Sequence, residues 1–211
     1  MSSSPQQSVS QTASSIKGEP AREMIAILDY GSQYSRLIAR RVRECRVYCE
    51  LLPATTTLAE LRRINAKGVI LSGGPDSVYD ENARRVDQDI LSSNLPVLGI
   101  CYGMHLLAHQ LGGKVEPHTG RREYGPAEIH VAPEGTDVPR DASALFQGVV
   151  ADEQTRIPVW MSHGDSVGAV PPGFVPIARS SSGTMAAMAD GSGHIGIQFH
   201  PEVRHTPQGG E

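Results

Sequence analysis

The clearest indication of the fold is the stretch Pro96-Val97-Leu98-Gly99-Ile100-Cys101-Tyr102-Gly103. Its apolar start predicts a buried strand, and the residues from Tyr102 to Leu111 predict a helix. Between them the pattern G-x-C-x-G permits a tight turn that lifts the side chain of Cys101 clear of a sheet. The N-terminus of the helix favours the thiolate, which is the reactive form of cysteine. The alternative for a lone cysteine is a small buried apolar residue, but the strand, turn and helix together favour a nucleophile.

On both sides of this unit, strands and helices alternate along the chain. Strands are predicted at residues 24–29, 47–52, 68–71 and 96–100, and helices at 32–43 (with Ser32 as the cap), 58–64, 82–91 and 102–111. After Lys114 the pattern changes to short strands at 128–131, 159–161, 175–178, 185–188 and 194–199. Such alternation predicts an α/β fold with an open, mostly parallel sheet and helices on both faces.

Length and composition predict one domain with short appendages. The chain has 211 residues, and its first 22 are rich in Ser and Gln and poor in large apolar side chains. Such a segment cannot bury enough surface to offset its ordering entropy, so residues 1–22 are predicted to be a disordered tail. Order is expected to begin at Glu23.

Charge and cysteine content exclude several classes of protein. The formal net charge of −4 and the pI near 6.1 give no attraction to nucleic acid or to anionic lipid. No apolar run approaches the roughly 18 residues that a membrane span requires. Three cysteines, an odd number, argue against a disulfide framework and suit a reducing compartment, so a cytoplasmic location is expected.

A base for the thiol is predicted at the end of the last strand. His200 lies in Gln198-Phe199-His200-Pro201-Glu202, and active sites gather at strand ends of parallel sheets. An extended H-x-E places both side chains on one side of the chain, so Glu202 could orient the imidazole of His200. The alternative is a surface histidine beside a solvated glutamate.

The turn Ser72-Gly73-Gly74-Pro75 admits two interpretations. A backbone N–H of this turn, with the N–H of Tyr102, could hold an oxyanion. Residues 72–77 also fit S-G-G-x-D-S, the phosphate loop of ATP pyrophosphatases. Pro75 lacks an N–H, residues 76–81 contain acidic side chains and no basic one, and the turn is expected beside Cys101. The oxyanion interpretation is therefore favoured.

Two other groupings have spacings that could suggest metal binding, but no metal site is predicted. Cys45 and Cys49 form C-x₃-C without two further nearby ligands, and His105 and His109 lack the glutamate of an H-E-x-x-H motif. Residues 160–165 are expected to end a strand in a polar turn and to form a wall of the substrate site.

These motifs together resemble the class I, or triad-type, glutamine amidotransferases, over roughly residues 24–210. The elbow and His-Pro-Glu mark the class, and three strings point within it to the glutaminase domains of GMP synthetases: those at 29–34, 159–165 and 205–209. The matching strings are D-Y-G-S-Q-Y (29–34), R-R-V-R-E (40–44), V-Y-C-E (47–50), I-L-S-G-G-P (70–75), G-I-C-Y-G-M (99–104), R-E-Y-G (122–125), V-W-M-S-H-G-D (159–165) and Q-F-H-P-E-V-R-H-T (198–206).

The resemblance implies a flavodoxin-like fold and a role for each matching residue. Cys101 would be the nucleophile, His200 the acid and base, and Glu202 its orienting partner. Gly74 and Tyr102 would donate backbone N–H groups to the oxyanion. The implied substrate is L-glutamine, held by Gly73, His105, Ser162, His163 and Gly164.

The resemblance also implies a partner and a domain boundary. Residues 23–205 would be the glutaminase domain, and residues 206–211 the start of a linker to a synthetase domain or a C-terminal tail. The ammonia would pass to an ATP-pyrophosphatase domain, in cis or in trans, which converts XMP to GMP. That domain would use ATP and Mg; no cofactor is expected in this chain.

One departure from the family keeps alternatives open. The family usually carries Gln four residues after the nucleophile, where it contacts the substrate amide, and here the residue is His105. Imidazole also donates and accepts hydrogen bonds, so glutamine is still expected to bind, with altered affinity. The alternatives are a glutaminase subunit of another amidotransferase, a related thiol hydrolase, or a binding module that His105 has impaired.

Overall fold

The computed structural model describes residues 23–117, 123–131, 144–149 and 156–211. The tail at 1–22, predicted to be disordered, lies outside these residues. The strands are β1 (Met24–Asp29), β2 (Cys49–Pro53), β3 (Ala66–Leu71), β4 (Val97–Ile100), β5 (Lys114–Pro117), β6 (Glu123–Val131), β7 (Arg156–His163), β8 (Asp165–Ala169), β9 (Val175–Ser180), β10 (Met185–Ala189) and β11 (His194–Ile197). The helices are α1 (Ser35–Glu44), α2 (Leu58–Arg63), α3 (Gln88–Leu91) and α4 (Tyr102–Gln110).

Nine of these strands form one sheet in the order β2-β1-β3-β4-β11-β10-β9-β6-β7. The first five are mutually parallel, and the remaining four extend the sheet in antiparallel fashion. Strands β5 and β8 form a separate antiparallel pair. The predicted flavodoxin-like α/β fold is confirmed, and its parallel block brings β4 beside β11.

Helices cover both faces of the parallel block. On one face Ile38 of α1 is buried in the same apolar cluster as Ile27 and Ile100 of the strands. On the other face α2, α3 and α4 contribute buried side chains to a second cluster, which also contains Leu28 and Leu71. Because both faces of the strands are covered, their sequences are nearly continuous apolar runs.

Two predicted helices differ from the structure. The first begins at Ser35 rather than beside a cap at Ser32, because the Ser32 hydroxyl accepts the N–H of Tyr34 at 3.0 Å and holds a turn there. The predicted helix over residues 82–91 was wrong before Gln88: only Gln88–Leu91 is helical. Asp87 has non-helical backbone angles, and its carboxylate caps the short helix through the N–H of Asp89 at 3.1 Å.

The antiparallel part also contains strands that the sequence did not indicate. The prediction that residues 160–165 end a strand in a polar turn was wrong in part, because β7 continues to His163 and β8 begins at Asp165 after a single bend at Gly164. Strand β8 pairs with β5, which was also not predicted. Strands β5 and β8 are short, and they are far apart in the sequence although they pair with each other.

The turn around Cys101 is possible because its flanking glycines are in close contact with backbone. A Cβ added to Gly99 would lie 2.5 Å from the carbonyl carbon of Gly103. A Cβ added to Gly103 would lie 2.4 Å from the carbonyl oxygen of Leu71 in β3. The two glycines therefore let the first turn of α4 pack directly on the sheet.

Gly103→Ala is expected to destabilise the protein, because the new methyl group must push α4 away from β3. Overpacking of this kind costs about 1–3 kcal/mol, and the contact is with rigid backbone, so we expect the upper end of this range. Urea unfolding followed by circular dichroism measures the change. Gly191→Ala is the control, since its Cβ would have no neighbour within 4 Å. Equal stability of the two variants would contradict the expected clash.

Candidate active site

Cys101 sits on a strained turn at the carboxyl end of the parallel strands. Its φ of +54° and ψ of −106° lie outside the regions that residues other than glycine favour, at a cost of about 1–3 kcal/mol. Its N–H donates to the carbonyl of Ile197 at 2.8 Å, which ties the turn to β11. Cys101 also forms the cap of α4. The positive end of that helix therefore lies at the thiol.

His200 and Glu202 lie beside Cys101, just after β11. The Nδ1–H of His200 donates to Oε1 of Glu202 at 2.8 Å, and the two residues are only 3% and 2% exposed. Burial alone would lower the pKa of His200, but hydrogen bonds with the side chains of Cys101 and Glu202 outweigh it and raise this pKa well above its usual value. An imidazolium is therefore retained between a thiol and a carboxylate at neutral pH.

A cavity of about 480 Å³ opens in front of the thiol. Cys101, His200, Gly74 and Tyr102 line it. Among the described residues, neither the Gly74 N–H nor the Tyr102 N–H donates a hydrogen bond, so both are available to an oxyanion. Gly73 does not line the cavity; a Cβ there would meet the imidazole of His200 at 3.4 Å and Cys101 at 3.6 Å. These are ordinary van der Waals distances, so the space around Gly73 does not by itself require glycine.

Ser162, His163 and Gly164, which were predicted to hold the substrate, also line this cavity. The thiol of Cys101 lies 3.5 Å from the carbonyl of Ser162. Two contacts hold the His163 ring in place. One ring nitrogen lies 2.9 Å from the carbonyl oxygen of Asp165, and the other lies 3.3 Å from Oε2 of Glu123.

His105 also lines the cavity and is held by one buried contact. Its Nε2 lies 2.8 Å from Oε1 of Gln198. Burial lowers the pKa of His105 to about 4, so the ring is neutral at pH 7. With Nε2 bound to Gln198, a single ring nitrogen is left for other partners.

Further residues of the cavity were not predicted from the sequence. The ring of Tyr34 meets the His200 ring edge-on with centroids 5.4 Å apart. The hydroxyl of Ser77 donates to Asp165 at 2.6 Å and joins two sides of the cavity. Tyr124, 62% exposed, lies at its rim. Tyr34 and Tyr124 belong to the strings at residues 29–34 and 122–125 that carried the resemblance, but no place in the site was inferred for either.

Three other residues that sequence motifs singled out, Cys45, Cys49 and Ser72, do not line this cavity. Cys45 is exposed, whereas Cys49 is buried and its thiol donates to the carbonyl of Ala39 at 3.3 Å. Ser72 is buried; its hydroxyl accepts the N–H of Tyr30 and donates to the carbonyl of Gly73.

Within the described ranges, no group of three or more His, Cys, Asp or Glu side chains could hold a metal ion. In the same part of the chain, no helix is long and apolar enough to cross a membrane.

The fold and the site define a class. A cysteine on a strand–helix elbow, a histidine at the end of the neighbouring strand and a glutamate behind it are the components of a thiol-dependent acyl-transfer site. The family model for class-I glutamine amidotransferases matches residues 26–211. The chain belongs to this family.

Similar proteins add detail. The chain is 54% identical over 191 residues to a glutamine-hydrolyzing GMP synthase of Thermomicrobium roseum, covering 90% of this chain and 33% of the relative. It is 51% identical over 191 residues to that of Bacillus subtilis, covering 90% and 34%. Among solved structures, a candidate GMP synthase component of Thermoplasma acidophilum is 25% identical with a TM-score of 0.70, covering 92% of this chain and 90% of the other. The chain thus spans about a third of the length of the curated relatives it matches.

Proposed function

We propose that this chain hydrolyses L-glutamine to glutamate and ammonia with Cys101, His200 and Glu202 as its catalytic residues. The observation that carries the proposal is the buried pairing of His200 with Glu202, beside the Cys101 thiol in the same cavity. This pairing faces a cavity where two backbone N–H groups are available. A thiolate, a proton donor and an oxyanion site are what transfer of an amide acyl group requires.

The reaction proceeds in two halves. The Cys101 thiolate attacks the side-chain carbonyl carbon of glutamine, and the N–H groups of Gly74 and Tyr102 hold the oxyanion. His200 gives its Nε2 proton to the departing nitrogen, so ammonia leaves and a γ-glutamyl thioester remains. His200 then accepts a proton from water as the water attacks the thioester. Collapse of the second oxyanion releases glutamate and restores the thiolate, so that glutamine and water give glutamate and ammonia.

The substrate would lie between the thiol and the wall of Ser162, His163 and Gly164. His105, at the side of the cavity, would contact the substrate amide. Glutamine hydrolysis by these residues would need no metal or organic cofactor. It is proposed to take place in the cytoplasm, where cysteine thiols stay reduced.

We further propose that the ammonia serves GMP synthesis. Support comes from the relatives named GMP synthase, which share about half of their residues with this chain, and from the strings at 29–34, 159–165 and 205–209. An ATP-pyrophosphatase domain, in cis or in trans, would use ATP and Mg to activate XMP, and the ammonia would convert it to GMP. Residues 23–205 would be the glutaminase domain and residues 206–211 the beginning of a linker or tail.

Ammonia release from glutamine tests both levels of the proposal. It is measured with the chain alone, and with a GMP synthetase ATP-pyrophosphatase domain, XMP and Mg-ATP. Release that the partner and its substrates stimulate is the expected result, because docking often completes such a pocket. Release without any stimulation would favour another amidotransferase. Glutamine binding without release in either condition would favour the binding module that His105 suggests.

His105→Gln is expected to lower the KM for glutamine. The imidazole has one ring nitrogen left after its contact with Gln198, whereas a glutamine side chain offers both a donor and an acceptor to the substrate amide. One added hydrogen bond is worth about 0.5–1.5 kcal/mol, which corresponds to a fall in KM of roughly 2–10-fold. Steady-state kinetics of ammonia release measures it, with His109→Gln, on the same helix, as the control. An increased KM would show that His105 suits this pocket better.

A further inference from the structure

Thr206 bridges the backbones of His200 and Trp160. Its hydroxyl donates to the carbonyl of His200 at 2.6 Å and accepts the N–H of Trp160 at 3.1 Å. The N–H of His200 in turn donates to the carbonyl of Trp160 at 3.0 Å. Thr206 is only 6% exposed. One buried hydroxyl thus completes a closed set of three hydrogen bonds around the backbone of His200.

This bridge matters because His200 lies beyond the end of its strand. Strand β11 ends at Ile197, so the backbone carrying the imidazole is outside the sheet ladder. Thr206 is itself held in a turn, where its N–H donates to the carbonyl of Val203 at 3.1 Å and its carbonyl accepts from Gly209 at 3.0 Å. The position of His200 therefore depends on a segment that follows it in the chain.

The thiol and the imidazole share part of their support. Cys101 is fixed by β4 and α4, by its N–H bond to Ile197 of β11 and by the contact of its thiol with Ser162 of β7. The Thr206 hydroxyl bonds only the backbones of His200 and Trp160, so its loss would shift the imidazole relative to the thiol. A misplacement of about 1 Å can cost on the order of 10²-fold in rate.

A second contact to this loop is weaker and more remote from the imidazole. Nε of Arg41 donates to the carbonyl of Glu202 at 3.0 Å, but the Arg41 side chain is 39% exposed and is also paired with Glu44. Hydrogen bonds are stronger in a buried environment. The contact made by Thr206 is buried and bonds the His200 backbone directly.

We propose that Thr206 is a positioning residue that sets the imidazole of His200 against the thiol of Cys101. The proposal rests on the proposed role of His200 as acid and base. It requires the hydroxyl rather than the methyl group of Thr206, since only the hydroxyl bridges the two backbones.

The test compares Thr206→Val, which keeps the shape and removes the hydroxyl, with Thr206→Ser, which keeps the hydroxyl. For Thr206→Val we expect kcat for ammonia release to fall by about 10–100-fold with KM changed by less than about twofold. Thr206→Ser is expected to stay within about threefold of the wild type in both constants.

A second readout does not depend on glutamine. The rate at which iodoacetamide alkylates Cys101 is followed against pH by mass spectrometry of the Cys101 peptide, which separates it from exposed Cys45. Thr206→Ser should follow the rate–pH curve of the wild type, because the imidazole of His200 stays beside the thiol. The curve of Thr206→Val should depart from it, because the displaced imidazole no longer assists the thiol. This result tests the positioning role even if the wild type released no ammonia.

Three results would overturn the proposal. An unchanged kcat and alkylation profile in Thr206→Val would show that the bridge does not position His200. Equal impairment of Thr206→Ser, which keeps the hydroxyl, and Thr206→Val, which removes it, would show that the hydroxyl is not what positions His200. If Thr206→Val does not fold, Thr206→Ala takes its place, because it removes the hydroxyl without placing a new methyl group against polar neighbours. If neither variant folds, the role of Thr206 is purely structural.

Discussion

Cys101→Ala is expected to abolish ammonia release from glutamine, with a loss on the order of 10⁴-fold or more. No other described side chain in the cavity combines a thiol with a buried imidazolium, since Cys45 is exposed and Cys49 lies in the core beside α1. Without sulfur there is no thioester, and the remaining oxyanion donors have no tetrahedral intermediate to stabilise. Glutamine binding should persist, because the wall of Ser162 and Gly164 is untouched.

The fold should tolerate this change, which makes the loss of activity interpretable. Alanine keeps the Cβ, and the backbone bond of residue 101 to Ile197 does not involve the side chain. The melting temperature should stay within a few degrees of the wild type. Cys45→Ala is the matched control and should keep full activity, because Cys45 is exposed and outside the cavity. Turnover retained by Cys101→Ala would assign the chemistry to another residue.

Glu202→Gln is expected to lower kcat/KM by roughly 10²–10⁴-fold, the usual contribution of general acid–base catalysis. The amide can still accept the Nδ1–H of His200, but it removes the negative charge that favours the imidazolium. Glu202 and the Cys101 side chain both raise the pKa of His200, so loss of one of them lowers this pKa. Activity needs His200 protonated for the departure of ammonia, and it should therefore be lost at a lower pH.

The predicted observation is an alkaline limb of the kcat/KM profile that lies at lower pH in Glu202→Gln than in the wild type. Glu116→Gln serves as the charge-matched control, because Glu116 is an exposed residue of β5 paired with Lys114. Its profile should coincide with that of the wild type. An alkaline limb that does not move in Glu202→Gln would show that the carboxylate does not act on His200.

The residues whose signals are local in sequence could be predicted. The elbow at Cys101 follows from two glycines between an apolar run and a helix. The pairing of His200 with Glu202 was predicted from an extended segment, and the two side chains do meet. The segment itself is not extended, because β11 ends at Ile197 and Pro201 and Glu202 lie in a turn. The structure places these three residues together, with Gly74 and Tyr102 beside them. Parallel strand ends meet at one edge of a sheet, so the predicted fold was enough to bring the two segments together.

Contacts between distant segments could not be predicted. Strand β8 becomes a strand because β5 pairs with it, and neither has a periodicity of its own over so few residues. The helix expected from residue 82 is shortened because Asp87 caps α3 and also accepts the N–H of Leu58 at 2.9 Å. Thr206 belongs to the string at residues 205–209 that marked the resemblance, but its bridge could not be predicted because its partner Trp160 lies 46 residues away.

Trapping the acyl-enzyme would detect the proposed covalent intermediate itself. The protein is mixed with glutamine, quenched in acid and digested, and the peptide carrying Cys101 is examined by mass spectrometry. We expect a γ-glutamyl group on Cys101 in the wild type and none in Cys101→Ala. The proposed chemistry would be contradicted if ammonia were released with no modification of Cys101 under any quench condition, and if Cys101→Ala released ammonia as fast as the wild type.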